Sequence, residues 1–483
     1  MENVMTVWEV FERSKDVFPK KEALVFVGAD GKELKLTYNI LAGDSEFTAH
    51  SLKSYRVEAG QRICLHMPNS PEFISAYLAA SKLGATSVLL NPALPQDRVE
   101  KILKDTAAKI IVKRIGNEID IKDLNPPLEP LTPRTAAVLY SSGTTGKQKG
   151  VELTHGNIYN NIKYASVLTG MTPDDRLICF LPLTHCFGLN FIMGACFYTG
   201  ATLVLHEKFD LERVLDSLVK NRVTMFFGTP AIYNMILKQK IDPFYFSSVR
   251  YFFYAADTLS VNSIKAWEQE YGRKIYTGWG LTETSPFATS NHEAIYKLGS
   301  VGKAIPGVEV QIVNENGRIL RMESARQNPK NFYGEVFVRG HNVMKGYWNQ
   351  PEETAKAMDE DGWFRTGDIG YIDHEGYLFI VDRLKDMINV GGEKAWPAEI
   401  EKIILQHPDV ADTAVVGMPH KIMCAVPKAF VVTKDPALTK KELQEFIKPK
   451  LMKHEFPREI EFVEKLPRNQ SGKILRRELR DKK

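Results

Sequence analysis

Arg62-Ile63-Cys64-Leu65-His66-Met67 begins the stretch that decides the fold, and residues 71–83 followed by Thr86-Ser87-Val88-Leu89-Leu90 complete it. The outer runs are short and apolar, as buried strands are, while the middle run opens on a proline, which suits the first turn of a helix. Strand, helix and strand in this order form a βαβ unit, whose two strands lie parallel with the helix packed on one face. The alternation recurs along the chain and predicts an α/β fold built from βαβ layers around largely parallel sheets. At 483 residues the chain exceeds what one hydrophobic core supports and calls for roughly two to four domains.

Further on, Asn125-Pro126-Pro127-Leu128-Glu129-Pro130-Leu131-Thr132-Pro133 is proline-rich and reads as an extended spacer. Soon after it comes Leu139-Tyr140-Ser141-Ser142-Gly143-Thr144-Thr145-Gly146-Lys147-Gln148-Lys149-Gly150-Val151, which reads as a phosphate-binding loop. Its glycines let consecutive N–H groups converge on one oxyanion, and its hydroxyls and lysines add donors and charge. It is not a Walker A loop, because only Thr144 and Thr145 separate Gly143 from Gly146 and no hydroxyl follows Lys147. Val151-Glu152-Leu153-Thr154 predicts a short strand after the loop, with Asn157 capping a helix from Ile158.

The 63 basic and 59 acidic residues leave a formal charge of +4, which provides no broad electrostatic footprint for nucleic acid or an anionic membrane. Five cysteines without CxxC spacing read as buried thiols in a reducing compartment, and Met1-Glu2-Asn3-Val4-Met5 lacks a signal peptide's basic start; both point to the cytoplasm. Residues 186–205 are free of charge and about as long as a membrane span, but Gly188, Asn190, Gly194, Thr199 and Gly200 interrupt them. An apolar helix followed by a strand over 201–205 is expected there instead, and no transmembrane segment.

Toward the C-terminus, residues 376–381 predict a strand, and the charged Asp382-Arg383-Leu384-Lys385-Asp386 after it suits a domain boundary. A large domain over 1–384 and a small α/β domain over 385–483 are expected. Within the latter, Pro397 opens a helix with Ile400, Ile403 and Ile404 on one face, and Thr439 with Glu442 forms a capping box for another.

Taken in order, the motifs resemble those of the adenylate-forming superfamily, which includes acyl-CoA synthetases, coumarate-type ligases, luciferases and peptide-synthetase adenylation domains. The phosphate loop matches Ser/Thr-Ser-Gly-Thr-Thr-Gly-x-x-Lys-Gly, with Gln148 where proline is usual. Pro182-Leu183-Thr184-His185-Cys186-Phe187-Gly188 resembles the next motif; Gly278-Trp279-Gly280-Leu281-Thr282-Glu283 resembles Gly-Tyr-Gly-x-Thr-Glu; Trp363-Phe364-Arg365-Thr366-Gly367-Asp368 resembles the Thr-Gly-Asp motif. Asp382-Arg383-Leu384-Lys385-Asp386 with Gly391-Gly392-Glu393 resembles the hinge signature, and Pro467-Arg468-Asn469-Gln470-Ser471-Gly472-Lys473-Ile474 the C-terminal lysine motif. The resemblance spans the whole chain and implies a large N-terminal domain and a small mobile C-terminal one.

It also implies a reaction: ATP and a carboxylate, fatty or aryl, form an acyl-adenylate with release of pyrophosphate, and the acyl group then passes to the thiol of coenzyme A. Ser141, Ser142, Gly143, Thr144, Thr145, Gly146 and Lys149 would hold phosphates, Thr282 the α-phosphate, and Glu283 Mg²⁺. Asp368 would accept from the ribose hydroxyls with Arg383 assisting, while Ala256, Gly278 and Trp279 would border the adenine, the indole face stacking on it. Lys473 would bridge the carboxylate and the α-phosphate. His185, Phe227, Ala255 and Gly278 would border the acyl group, and His185, in place of the aspartate usual in amino-acid-activating domains, disfavours an α-amino acid. Lys208, Gly391 and Gly392 would face coenzyme A, and Lys385 would be the hinge. Cys424-Ala425 stand where many coenzyme A ligases have Gly-Glu, and Asn389 where coumarate-type ligases have lysine, so an acyl carrier protein is an alternative thiol partner.

Overall fold

The computed structural model describes residues 4–116, 118–126, 134–141, 149–468 and 474–480, with Ser141 described in its backbone alone. The expected βαβ unit is present as strand Arg62–Leu65, helix Pro71–Lys82 and strand Thr86–Leu89, with the two strands hydrogen-bonded in parallel. Ser70 caps the helix by accepting from the Phe73 N–H, and Pro71 occupies its first turn, where the missing N–H costs nothing. These strands belong to a seven-stranded sheet that ends on the antiparallel pair Thr135–Ser141 and Lys149–Thr154 and the short strand Gly346–Tyr347.

A nine-stranded sheet faces it. Parallel strands fill its centre, from Glu22–Val27 through Thr202–His206, Arg176–Cys179, Met225–Gly228 and Tyr251–Tyr254 to Ile275–Gly280, with antiparallel strands at both edges. The largest apolar cluster draws on both sheets and on the helices between them, which is why these strands are apolar on both faces. A five-stranded antiparallel sheet, containing Phe364–Ile372 and Leu378–Arg383, completes the large N-terminal part. The smaller C-terminal part has its own five-stranded sheet and its own core around Ile388, Ile400, Val415, Phe456 and Ile460.

Three local expectations change. The helix after the phosphate loop spans His155–Leu168 and is capped by Thr154, not Asn157; Asn157 reaches back to the Thr154 N–H, closing a reciprocal box. The charge-free stretch folds as a π-helix, Phe187–Gly194, continued by Ala195–Thr199 and strand Thr202–His206. Among the described residues no helix is long and apolar enough to cross a membrane. The strand expected over 376–381 instead runs Leu378–Arg383, because Asp382 and Arg383 pair across the ladder with Ile369 and Asp368.

Candidate active site

The edge of the nine-stranded sheet meets the five-stranded sheet where three of the sequence motifs converge. Strand Ile275–Gly280 delivers Trp279, and a tight turn over Thr282–Thr284 presents Thr282 and Glu283. Gly280 is required there, since a Cβ would stand 1.8 Å from the Pro286 carbonyl oxygen. Gly278, in the same strand, lies against the Phe287 ring. Behind the turn, the buried Asn161 amide donates to the Thr284 and Phe287 carbonyls at 3.3 and 2.9 Å, and Asn342 donates to Phe287 at 2.6 Å. Ser285 sits at φ 70° and donates to the Asn342 carbonyl at 2.9 Å. These bonds hold a left-handed residue in place, and with it the orientation of Glu283.

Asp368 enters from the neighbouring sheet and is buried. Its Oδ1 lies 2.6 Å from Arg383 Nε and its Oδ2 accepts from Trp279 Nε1 at 2.9 Å. A residue expected to offer only an aromatic face therefore also offers an indole N–H. Burial raises the Glu283 carboxyl above its ordinary 4.5, opposed by a hydrogen bond from the Tyr347 hydroxyl (3.0 Å) and by the charge of Arg383, and reinforced by the like charge of Asp368. A desolvated carboxylate with hard oxygen donors and no ion pair of its own among the described residues suits a divalent cation such as Mg²⁺.

His185 ends the turn before the π-helix and reaches solvent, yet the protein surrounds it closely enough that desolvation lowers its pKa and keeps the imidazole neutral. The next residue, Cys186, places its thiol 3.8 Å from Thr282 Oγ1, tying the second motif to the third. Ala255 is buried at the end of strand Tyr251–Tyr254, and Ala256 beside it is exposed at φ 76°. Phe227 is fully buried, edge-on to Phe191 at 5.3 Å between ring centroids, and so belongs to the core beneath. Ser142, Gly143, Thr144, Thr145, Gly146 and Lys473 lie outside the described residues, as does the side chain of Ser141.

The profile of the AMP-binding enzyme family matches residues 11–348, and that of the AMP-binding enzyme C-terminal domain matches residues 399–473. The chain belongs to the AMP-binding enzyme family. It is 33% identical to 4-coumarate–CoA ligase 2 of Nicotiana tabacum over 92% of this chain and 89% of the relative. It is likewise 33% identical to 2-succinylbenzoate–CoA ligase of Bacillus pumilus, over 96% of each chain. The crystal structure of ATP-bound MatB from Rhodopseudomonas palustris superposes with a TM-score of 0.88 at 28% identity, covering 99% of both chains.

In this AMP-binding enzyme the site has two neighbours beyond the expected residues, Tyr347 and Glu353. Lys149, at the end of the phosphate loop, is ion-paired with Glu353 at 2.7 Å and lies 4.5 Å above the ring of Tyr347, whose hydroxyl holds Glu283. Lys149 and Lys356 together pull the Glu353 carboxyl down to about 2. The one available signal was the strand–proline–helix run through Gly346-Tyr347 and Pro351, which returns the chain to the loop.

The remaining expected residues stand elsewhere on the AMP-binding enzyme. Lys208 is exposed between strand Thr202–His206 and the helix capped by Asp210. Gly391 and Gly392 form an exposed hairpin turn at φ 64° and 99°, where Gly391 N–H donates to the Met423 carbonyl at 2.9 Å. Lys385 is exposed in the short turn Leu384–Asp386, after the last strand of the five-stranded sheet. Past it, Trp396 of the C-terminal part packs against Ile369, Val381, Tyr333 and Tyr371, and Lys330 pairs with Glu399 and Glu455 at 3.4 and 2.8 Å.

Proposed function

We propose that this chain is an AMP-forming acid–thiol ligase, which joins an aryl or fatty carboxylate to AMP and passes the acyl group to coenzyme A. The observation that carries the reading is the convergence of Trp279, Thr282, Glu283, Asp368 and Arg383, from three separated motifs, where the nine-stranded and five-stranded sheets meet. Names of the relatives, coumarate– and succinylbenzoate–CoA ligases, support an aryl acid as the first substrate to try.

In the first step a carboxylate oxygen attacks the α-phosphorus of ATP; the α–β phosphoanhydride bond breaks and pyrophosphate leaves. Both reactants are anions, so the residues act chiefly by placing charge where negative groups must meet. Asp368 holds the ribose, the Trp279 face supports the adenine, Thr282 donates to the α-phosphate, and Lys149 with Ser141 to Gly146 steadies the leaving phosphates. Glu283 would hold Mg²⁺, which when bound would supply charge neutralisation to the phosphates. Neutral His185 borders the acid without adding charge, which fits a substrate lacking an ammonium group. In the second step the thiol of coenzyme A attacks the acyl carbonyl and AMP leaves. Gly391 and Gly392, having no side chains, line the path of the pantetheine, and Lys208 faces its nucleotide end. Between the two steps the small domain over 385–483 turns at Lys385 against the large one over 1–384, so that Lys473 leaves and the Gly391 face arrives, and the chain works in the cytoplasm.

The test is pyrophosphate release across benzoates, cinnamates and fatty acids of graded length, with and without coenzyme A. Release with at least one acid, together with formation of its coenzyme A thioester, is the expected result; no release with any acid overturns the reading. Release without a thioester directs the second step to a carrier protein.

Glu283 must be ionised to hold a cation. Because burial raises its pKa, activity is lost as pH falls through a value above the ordinary 4.5. Tyr347→Phe removes the hydrogen bond that favours the anion, so this acid limb moves to higher pH. The variant is expected to lose roughly tenfold more kcat/KM for ATP at pH 6 than at pH 8. A limb that stays in place shows that Tyr347 does not act through Glu283.

A further inference from the structure

Trp279 makes a contact that stacking does not use. The hydrogen bond from its indole Nε1 to Asp368 Oδ2, 2.9 Å long, joins the nine-stranded sheet to the five-stranded one, and both side chains are buried. Arg383 takes the other oxygen, Oδ1, at 2.6 Å, and its backbone pairs directly with that of Asp368. The Asp368 N–H is in turn held by Thr366 Oγ1 at 3.1 Å. A carboxylate carries about four acceptor positions, two on each oxygen. Among the described residues one donor reaches each oxygen, which fixes the plane of the group and leaves one acceptor position on each for a ligand.

We infer that Trp279 is a positioning residue that sets ribose selectivity: its N–H, with Arg383, turns the two free positions of Asp368 toward the vicinal 2′- and 3′-hydroxyls of the nucleotide. The inference rests on the reading of Asp368 as the ribose acceptor. An indole is suited to this double duty because its donor lies on the edge of the ring while its face stays available. Phenylalanine has the face and no donor; tyrosine has its donor at the tip of the ring.

Trp279→Phe keeps an aromatic face and removes the N–H, leaving the Asp368 carboxylate held by Arg383 on one oxygen alone. Pyrophosphate release by the full chain is measured with ATP, 2′-deoxy-ATP and 3′-deoxy-ATP under a saturating carboxylate. The preference for ATP in kcat/KM is expected to fall roughly tenfold in the variant, the scale of a hydrogen bond to a charged group, with KM rising more than kcat falls. Asp368→Asn is expected to lose the preference at least as far, and the double variant no further. A Trp279→Phe enzyme that keeps the wild-type preference while Asp368→Asn loses it overturns the inference and leaves the ribose reading standing. If Asp368→Asn keeps the preference, both fall. Should the phenylalanine variant not fold, Trp279→Tyr, equally without a donor at the indole nitrogen, gives the same decision.

Discussion

Lys473→Ala is expected to lower carboxylate-dependent pyrophosphate release by about 10² to 10³, the usual loss when one donor to a developing negative charge is removed. The reaction asks one anion to attack another, and a cation between the carboxylate and the α-phosphate is the simplest remedy. Lys473 itself lies outside the described residues, but its flanks are held firmly. Arg468 and Ile474 pair as an antiparallel bridge, and Arg468 Nη2 sits 2.6 Å from Asp412 Oδ2. Ile474 packs beside Leu466 and Leu479 against the sheet of the C-terminal part. A supplied acyl-adenylate no longer needs the bridging charge, so thioester formation from it is expected to survive in the same variant. Stopped-flow measurement of the two half-reactions checks both parts. Undiminished pyrophosphate release removes Lys473 from the mechanism, and equal loss in both half-reactions shows a role other than bridging carboxylate and phosphate.

What the amino-acid sequence disclosed was chiefly local. Buried parallel strands are nearly continuous apolar runs, and a proline or a Thr-x-x-Glu box marks a helix start within four residues, so Arg62–Leu65, Pro71–Lys82 and the helix after Thr439 were legible with close bounds. Asn157 was misassigned because Thr154 and Asn157 are both capping residues. Apolar periodicity begins only at Ile158, and His155 with Gly156 are poor helix formers that a box holds in the first turn. The π-helix left no mark that separates it from an α-helix in so apolar a run.

The site was legible as motifs and illegible as contacts. Trp279 meets Asp368 across 89 positions, Tyr347 meets Glu283 across 64, and Lys149 meets Glu353 across 204; no periodicity spans such distances. Nor does composition reveal that Asn161 and Asn342 brace the Thr282–Thr284 turn from behind, since a buried asparagine and a surface one are the same letter. Each of these contacts joins elements far apart in the sequence, which only the assembled fold brings together.

Arg476→Leu is expected to destabilise the C-terminal part by about 3 kcal/mol, within the range for leaving a buried charge without its partner. Arg476 donates to both Glu401 oxygens at 2.8 Å, and the same carboxylate accepts the Val415 N–H at 2.7 Å. Asp382 and Asp386 also face the guanidinium, Asp386 being paired besides with Arg480 at 2.6 Å. One arginine thus offsets carboxylates from three places: the strand before Lys385, the turn containing it, and helix Pro397–Ile404. Burial already raises Glu401 and Asp382 above the usual carboxylate range, with Arg476 opposing the rise. Without it both groups rise further, and a carboxylate whose folded pKa exceeds its unfolded value penalises the fold at high pH, the penalty fading as pH falls through the folded value. The deficit should therefore be largest near pH 8 and smaller near pH 5.5. Hydrogen exchange of strand Val410–His420 reads it directly, since 3 kcal/mol corresponds to roughly a hundredfold faster exchange. Exchange unchanged at pH 8 shows that the carboxylates find another partner. Exchange accelerated equally at both pH values attributes the loss to the packing of the arginine stem and not to its charge.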